Sequence, residues 1–385
     1  MESSLYRENP LRAVHILSAI NPELLAKLTP QITAFRADGG SPITVYIDSY
    51  GGNTYVTDSL IKMLRAPDQR GRRCPLTTVV TNTAASAAAD LLISGDYAIA
   101  FPTALIHYHG TRRSAEGVTL EDAHLMAGAL QSANEQFALR LAERIISRLL
   151  FLLTIHRQEI DSNPHDTDIS SPVSVFVSLL EIKLSAIDEN HAQLVREARE
   201  MQQQTSKLVQ ILIEKVSAEK GNSPPETSAE AQIRFLKALL DYELSRADRP
   251  ENWTLLQGGF DEIRQHFLQF ADFLAGEHTD HRERLVRDYG TFMLSKAELT
   301  HFQTLASDSK ESAEWLNEKA SPRMAEFWYF VLCLCRQLQR GENPFEAQAA
   351  YWLGLVDEVL GTDLPCMRLI FESQTAPVDT SPSAS

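Results

Sequence analysis

The sequence predicts an α/β protein in which strands and helices alternate, joined to a long segment that is all helical. Between residues 14 and 148, short β-branched runs alternate with helical periodicity, the pattern of βαβ units around a parallel sheet. Residues 173–339 are instead typical of a series of helices. The length of 385 residues and the apolar content of 44% are sufficient for two domains with buried cores.

The composition argues against several classes of protein. A formal net charge of −15 disfavours binding to nucleic acid or to anionic membranes, because phosphate groups attract the opposite charge. The four cysteines lack the spacing of a metal site, which indicates a reducing compartment. The amino terminus has no signal-peptide pattern, and the one dense apolar run, residues 149–155, is too short to span a bilayer. We therefore expect a cytoplasmic protein that does not enter the membrane.

The chain opens with two strand–helix units. Residues 14–17 predict a strand, and residues 21–36 predict the helix after it, with an asparagine cap and a proline in the first turn. Residues 43–47, which are β-branched and aromatic, predict the second strand. Residues 48–53 then form the turn into a helix that ends near Leu64.

Two adjacent glycines, Gly51 and Gly52, lie in the turn after the second strand. In most proteins such a pair serves only a tight turn. Because glycine has no Cβ, the pair can also bring bare backbone amides close to a substrate carbonyl. Both interpretations stay open from these residues alone.

The third unit has a serine at the junction between its strand and its helix. Residues 75–80 are β-branched and apolar, as in a buried parallel strand, and Ser86 follows among alanines that let a helix start close to the sheet. Its hydroxyl is expected beside the N-terminal amides of that helix, where a nucleophile is activated. An ordinary helix N-cap serine is the alternative for this stretch.

Two histidines end the last strand of this region. Residues 97–101 predict one strand and residues 104–110 predict another, which ends in His107 and His109. Alternation along a strand places both histidines on one face and Tyr108 on the other. A single histidine at a strand end is usually a solvated side chain, but a pair that follows a helix-start serine indicates a general base.

Four sequence blocks resemble the Clp protease proteolytic subunit (ClpP) and the wider ClpP/crotonase superfamily. In the family's order they are PITVYIDSYGG at 42–52, NTAASAAADLLISG at 82–95, FPTALIHYHG at 101–110 and GLVDEV at 354–359. The resemblance covers residues 14–148 and 342–361. It implies a spiral core of repeated ββα units and a serine-type endopeptidase that acts through an acyl-enzyme.

The resemblance also implies roles for individual residues. Ser86 matches the family's nucleophile, and an ungapped count from Pro102 places the general base at His109, with His107 as the other choice. The family's oxyanion hole maps to backbone amides of Gly51, Gly52 and Ala87. No cofactor and no metal are implied. The implied partners are a peptide or unfolded-protein substrate, further copies of the chain in a ring, and an AAA+ ATPase.

Departures from the family put the third catalytic residue in question. Counting back from Gly354 places the acid at Glu342, whereas matching the family's phenylalanine to Phe345 places it at Asn343. Either side chain can orient an imidazole by accepting its N–H, but only a glutamate stabilises an imidazolium by charge. Asn82 replaces a family glycine, and this change is tolerable because asparagine enters left-handed turns more readily than most residues.

The largest departure is an insertion of about 190 residues. The predicted domains are a peptidase core of residues 1–150 and 340–372, a helical insertion of residues 151–339, and a disordered tail of residues 373–385. In the insertion, residues 173–220 predict one long helix with coiled-coil spacing, which requires a partner helix. Further helices are predicted at residues 229–247, 253–274, 281–294 and 324–339.

Three functions are open at this level. Ser86, a suitable histidine and the glycine pair together favour a serine peptidase. The same fold without catalysis is an assembly or regulatory subunit that binds a partner through its insertion. A crotonase relative acting on thioesters is disfavoured, because that chemistry does not need a serine followed by a strand-end histidine.

Overall fold

A computed structural model of the chain describes residues 7–67, 71–113, 116–156, 172–203, 279–305 and 310–368. They divide into two compact units. The first unit takes its residues from 1–155, 183–191 and 338–385, and the second takes them from 156–182 and 192–337. Among the described residues, no helix is both long enough and apolar enough to cross a bilayer.

Strands and helices alternate along the first unit, which confirms the α/β prediction. The strands are β1 (Ala13–Ile16), β2 (Ile43–Ser49), β3 (Leu76–Ala85), β4 (Tyr97–Ala100), β5 (Leu105–His109), β6 (Glu342–Glu346) and β7 (Glu358–Val359). The helices of the whole chain are α1 (Pro22–Ala37), α2 (Thr54–Arg65), α3 (Ala87–Ile93), α4 (Leu120–Ile155), α5 (Pro172–Ser185), α6 (residues 189–203), α7 (Thr279–Tyr289), α8 (Lys296–Thr304), α9 (Lys310–Leu338) and α10 (Ala347–Trp352).

Five strands form a parallel sheet in the order β1-β2-β3-β4-β7. Several of their β-branched residues are fully buried, among them Val45, Ile47, Val79 and Val80. Continuous apolar burial of this kind is typical of parallel strands that are covered on both faces. The sequence predicted these strands from the same β-branched runs.

β3 is long enough to pair with two strands in succession on one side. Residues 77–80 pair with β4, whereas residues 83–85 pair with β5. β5 in turn pairs antiparallel with β6, so that His109 lies opposite Glu342. This change of partner brings the end of β3 together with β5 and β6. These two strands do not belong to the five-stranded parallel order.

The second unit is helical throughout its described residues. α5 and α9 meet through Phe176 and Phe327, whose rings pack edge to face at 5.9 Å. A capping box at Ser295 starts α8, and Glu298 of that box binds Arg323 of α9 at 2.6 Å. The Arg323 hydrogen bond holds the pKa of the Glu298 carboxyl at about 2. The carboxylate therefore both caps α8 and attaches it to α9.

The single long helix predicted for residues 173–220 is wrong, because it is interrupted before residue 189. α5 ends at Ser185, and the backbone N–H of Asp188 folds back to the carbonyl of Leu184 at 2.9 Å. The Asp188 carboxylate then accepts the N–H of Asn190 at 2.9 Å and caps α6. A continuous coiled-coil seam cannot pass through this break.

His191, which follows the helix break, packs against β6. The sequence placed it on the coiled-coil seam, but its Nε2 donates to the carbonyl of Pro344 at 3.1 Å and its ring contacts Phe345 at 5.0 Å. Predicted helices 281–294 and 324–339 are confirmed as α7 with a following 3₁₀ turn and as part of α9. Residues 204–220, the helices predicted at 229–247 and 253–274, and the tail lie outside the described residues.

Arg148 fixes α4 to the carboxyl-terminal part of the first unit. Its Nε donates to Asp357 at 3.0 Å, and its terminal nitrogens donate to the carbonyls of Gly354, Leu355 and Gly95 at 3.3–3.5 Å. Burial raises the pKa of the Asp357 carboxyl, and the Arg148 charge opposes that rise. Both side chains are largely buried, so removing either one would leave the other as an uncompensated buried charge.

We expect Arg148→Met to lower the free energy of unfolding by about 3 kcal/mol or more, because Asp357 would stay buried without its partner. Urea unfolding followed by tryptophan fluorescence measures the loss. The control is Lys62→Met, which breaks an exposed pair with Asp58 at 3.1 Å and should cost at most about 0.5 kcal/mol. Equal losses in the two variants would contradict a structural role for the buried pair.

Candidate active site

Ser86 follows β3 in a backbone conformation that is rare for a residue with a side chain. Its φ is 55° and its ψ is −127°, and no other non-glycine residue of the described chain has a positive φ. Such strain costs about 1–3 kcal/mol and is typical of a nucleophile on a sharp strand-to-helix turn. Ser86 occupies the N-cap position of α3, as the alternative interpretation expected, but its side chain makes no capping hydrogen bond.

Backbone hydrogen bonds hold this turn in place. The N–H of Ser86 donates to the carbonyl of His107 at 2.8 Å, and the carbonyl of Ser86 accepts the N–H of Ala89 at 2.9 Å. The turn is thereby attached to β5 on one side and to α3 on the other. The first amide of α3, that of Ala87, has no acceptor within the helix and is available for a negative charge that develops at Ser86.

Gly51 and Gly52 differ in what their amides can bind. The N–H of Gly51 donates to Ser49 Oγ at 3.1 Å, so it is already used within the turn. Ile20 pairs with Gly52 as in a parallel ladder, through the carbonyl of Gly51 and the N–H of Asn53. Within the described residues, no hydrogen bond engages the N–H of Gly52. Of the two amides, that of Gly52 is therefore the candidate oxyanion donor.

Gly51 also lies against the nucleophile turn itself. Its φ is +88°, and an added Cβ would lie 2.5 Å from the carbonyl oxygen of Ala85 and 2.9 Å from the Cβ of Ser86. Only glycine fits this approach. The two glycines therefore differ in their surroundings: Gly51 lets the two turns touch, whereas an added Cβ at Gly52 would meet the backbone of Ile20.

The two histidines lie on one face of β5, as predicted. Their ring centroids are 5.8 Å apart in an edge-to-face arrangement, and Tyr108 is buried on the other face. His109 Nδ1 donates to the carbonyl of Gly110 at 2.7 Å, which leaves Nε2 as an acceptor. Burial lowers the pKa of His107, and the nearby His109 and Arg112 lower it further.

β6 brings Glu342, but not Asn343, to these histidines. Glu342 Oε2 is 3.0 Å from His107 Nε2, although the contact lacks hydrogen-bond geometry. The other carboxylate oxygen of Glu342 pairs with Arg112. Asn343 lies on the opposite face of the β5–β6 pair, and its Nδ2 donates to the carbonyl of Leu338 at 3.0 Å.

Ser86 and His109 line one cleft of about 450 Å³. Gly52, Ala87 and Arg112 line the same cleft, so a hydroxyl, an imidazole and two backbone amides share one space. Among the described residues, no hydrogen bond joins Ser86 Oγ to either histidine; catalytic hydrogen bonds often tighten only when substrate binds. The described residues also contain no cluster of side chains that could hold a metal ion.

Two features beside the cleft were missed by the sequence analysis. The register of β2 against β3 shifts after Ile47, and Asp48 fills the resulting bulge by accepting the Asn82 amide at 3.1 Å. Asn82 thus supports a bulge and does not form the left-handed turn expected for it. Asp90 also lines the cleft. The sequence feature that could have indicated it is a single carboxylate within the otherwise apolar helix α3.

Residues 3–149 match the family model described as Clp protease. A solved structure of a ClpP1 mutant from Listeria monocytogenes is similar at 21% sequence identity and a TM-score of 0.30, over 34% of this chain and 71% of that chain. No curated protein sequence matches the chain significantly.

Proposed function

We propose that this chain, whose residues 3–149 match the Clp protease family model, is a serine-type endopeptidase that acts through Ser86. The proposal is carried by the positive-φ turn that presents the Ser86 hydroxyl in one cleft with His109 and the amides of Gly52 and Ala87. A peptide or an unfolded protein is the substrate class. No cofactor takes part in the proposed reaction.

The proposed reaction has two steps. In the first, His109 Nε2 accepts the hydroxyl proton while Ser86 Oγ attacks the scissile carbonyl, and the same histidine then protonates the leaving amine. In the second, His109 activates a water that hydrolyses the acyl ester and restores Ser86. In both steps the amides of Gly52 and Ala87 donate to the oxyanion, a contribution worth about 3 kcal/mol for each donor.

His109 is proposed as the base for two reasons. It lines the cleft that contains Ser86, and its Nδ1–H is bonded to Gly110, so Nε2 has a lone pair for the hydroxyl proton. Glu342 is proposed as the acidic member, because it lies opposite His109 in the strand pair and can stabilise an imidazolium. Its carboxylate is about half exposed and shared with Arg112, so solvent weakens this effect.

The second candidate is a ClpP-like assembly or regulatory subunit without peptidase activity. Two observations favour it: Ser86 Oγ has no hydrogen bond to either histidine in the described structure, and Arg112 already pairs with Glu342. A serine-reactive fluorophosphonate distinguishes the candidates. Labelling of Ser86, detected by peptide mass spectrometry, supports the peptidase, and the absence of labelling together with the absence of peptide hydrolysis supports the second candidate.

We also propose that the chain forms homo-oligomers in a reducing compartment and receives substrate from an AAA+ ATPase, as the Clp protease family suggests. Residues 151–339 follow the helix through which family rings meet, so the insertion should obstruct or replace that contact. Light scattering of the intact protein and of a variant with residues 156–337 replaced by a short linker checks this. A deletion that leaves the assembly mass class unchanged would contradict it.

A further inference from the structure

A second cavity of about 190 Å³ adjoins the cleft that contains Ser86. It lies among α2, α3 and α4. Thr54, Asp90 and Phe137 line both the cavity and the cleft, so the two spaces meet at these side chains. The cavity is therefore a side chamber of the candidate active site.

Asp90 stands at the junction of the two spaces, one helical turn after the nucleophile. Its N–H donates to the carbonyl of Ser86 at 3.3 Å, so the backbones of the two residues are in contact at the start of α3. Within the described part of the chain, no hydrogen bond or ion pair engages its carboxylate. Burial raises the pKa of the Asp90 carboxyl to about 7, Arg140 opposes this rise and Asp58 adds to it. Such a carboxylate is stabilised by a cation that enters the chamber.

The nearby arginine does not already serve as that cation. Arg140 Nη1 binds Asp58 at 3.0 Å, and its guanidinium lies over the ring of Phe137 at 4.5 Å from the ring centroid. Asp58 also binds Lys62 at 3.1 Å, so two cations share this one carboxylate. The other ionisable groups that line the two spaces are those of Glu143 and Arg144 on α4, Tyr55 on α2, Tyr108 and His109 on β5, and Arg112 after it.

We propose that the side chamber binds the side chain of the residue that precedes the scissile bond, and that Asp90 selects lysine or arginine there. This inference rests on the proposed peptidase function. The α-carbon of that residue is bonded directly to the carbonyl carbon that Ser86 attacks, so its side chain starts beside the chamber. The four-carbon stem of lysine then places its ammonium near the Asp90 carboxylate. The ion pair forms in a partly desolvated site, where a charge-assisted hydrogen bond is strong.

The preference for a basic residue should depend on pH. Protonation of Asp90 removes the charge that attracts lysine, so the preference is weak at acidic pH and grows as the pH rises through about 7. A bound lysine stabilises the carboxylate and moves this transition to lower pH.

The test uses two fluorogenic peptides that differ only in the residue before the scissile bond, lysine in one and its neutral isostere norleucine in the other. The wild-type protein should favour the lysine peptide in kcat/KM, and Asp90→Asn should reduce that ratio by about tenfold or more while cleavage of the norleucine peptide persists. Asp90→Glu keeps the charge and should keep the preference. Glu121→Gln removes an exposed carboxylate of α4 that lines neither space and should leave the ratio unchanged.

A binding measurement separates this inference from the peptidase proposal. Fluorescence anisotropy of the same peptides on the Ser86→Ala protein needs no hydrolysis, and the lysine peptide should bind more tightly than the norleucine peptide unless Asp90→Asn is also present. Equal affinities for the two peptides, or no binding of either, would overturn the role of Asp90. Hydrolysis by the wild-type protein with an unchanged ratio in Asp90→Asn would overturn it too, while leaving the peptidase proposal intact.

Discussion

Ser86→Ala is expected to reduce peptide turnover by about 10³-fold or more while the protein stays folded. The variant retains substrate binding and the amides of Gly52 and Ala87, but no covalent acyl-enzyme can form without the hydroxyl. Alanine also removes a side chain that makes no capping hydrogen bond, so little stability depends on it. The measurements are hydrolysis of a fluorogenic peptide and labelling by a fluorophosphonate, with the thermal unfolding midpoint as a check on folding.

The matched control for this variant is Ser59→Ala. Ser59 is an exposed serine of α2 whose hydroxyl donates to the carbonyl of Tyr55 at 2.9 Å, so its loss should change neither turnover nor labelling. Turnover in Ser86→Ala equal to that of the wild-type protein would exclude Ser86 as the nucleophile. A third outcome is that the wild-type protein is labelled, Ser86→Ala is not labelled, and neither hydrolyses peptides. Ser86 would then be a reactive serine in a protein that is not a peptidase.

His109→Ala is expected to reduce turnover about as much as Ser86→Ala, by about 10³-fold or more, because Ser86 would lose its proton acceptor. His107→Ala should be milder, within about tenfold, since His107 does not line the cleft and contributes only through its neighbours His109 and Glu342. A pH profile of kcat/KM adds a second readout: a general base that must be neutral makes activity rise with pH through its pKa.

The two histidine variants serve as controls for each other, because both remove an imidazole from the same face of β5. The opposite ranking would make His107 the base. It would also mean that the loop before β5 is two residues shorter than in the family, and that the His107–Glu342 contact at 3.0 Å is the catalytic one.

Much of the first unit could be predicted because its signals are local. β-branched runs predicted β2 and β3, and alanines after a buried strand predicted the turn at Ser86. Strand alternation was enough to place His107 and His109 on one face. Each of these features depends on residues that are neighbours in the sequence.

The rest depends on contacts between residues far apart in the sequence. The pairing of β5 with β6 decides that Glu342 faces the histidines and Asn343 does not, and no local pattern contains that register. The helix break at Asp188 was missed because apolar spacing continues across it, while the cap that interrupts it depends on one side chain. The position of Asp90 between two cavities likewise depends on how α2, α3 and α4 pack.

The pairing of β5 with β6 has a consequence during translation. Ser86 and both histidines leave the ribosome early, but the strand that covers β5 and carries Glu342 emerges only after the whole helical region has been synthesised. Until then β5 has an open edge and its histidines lack their carboxylate neighbour. The proposed active site of a nascent chain is therefore incomplete until β6 has been synthesised and has paired with β5.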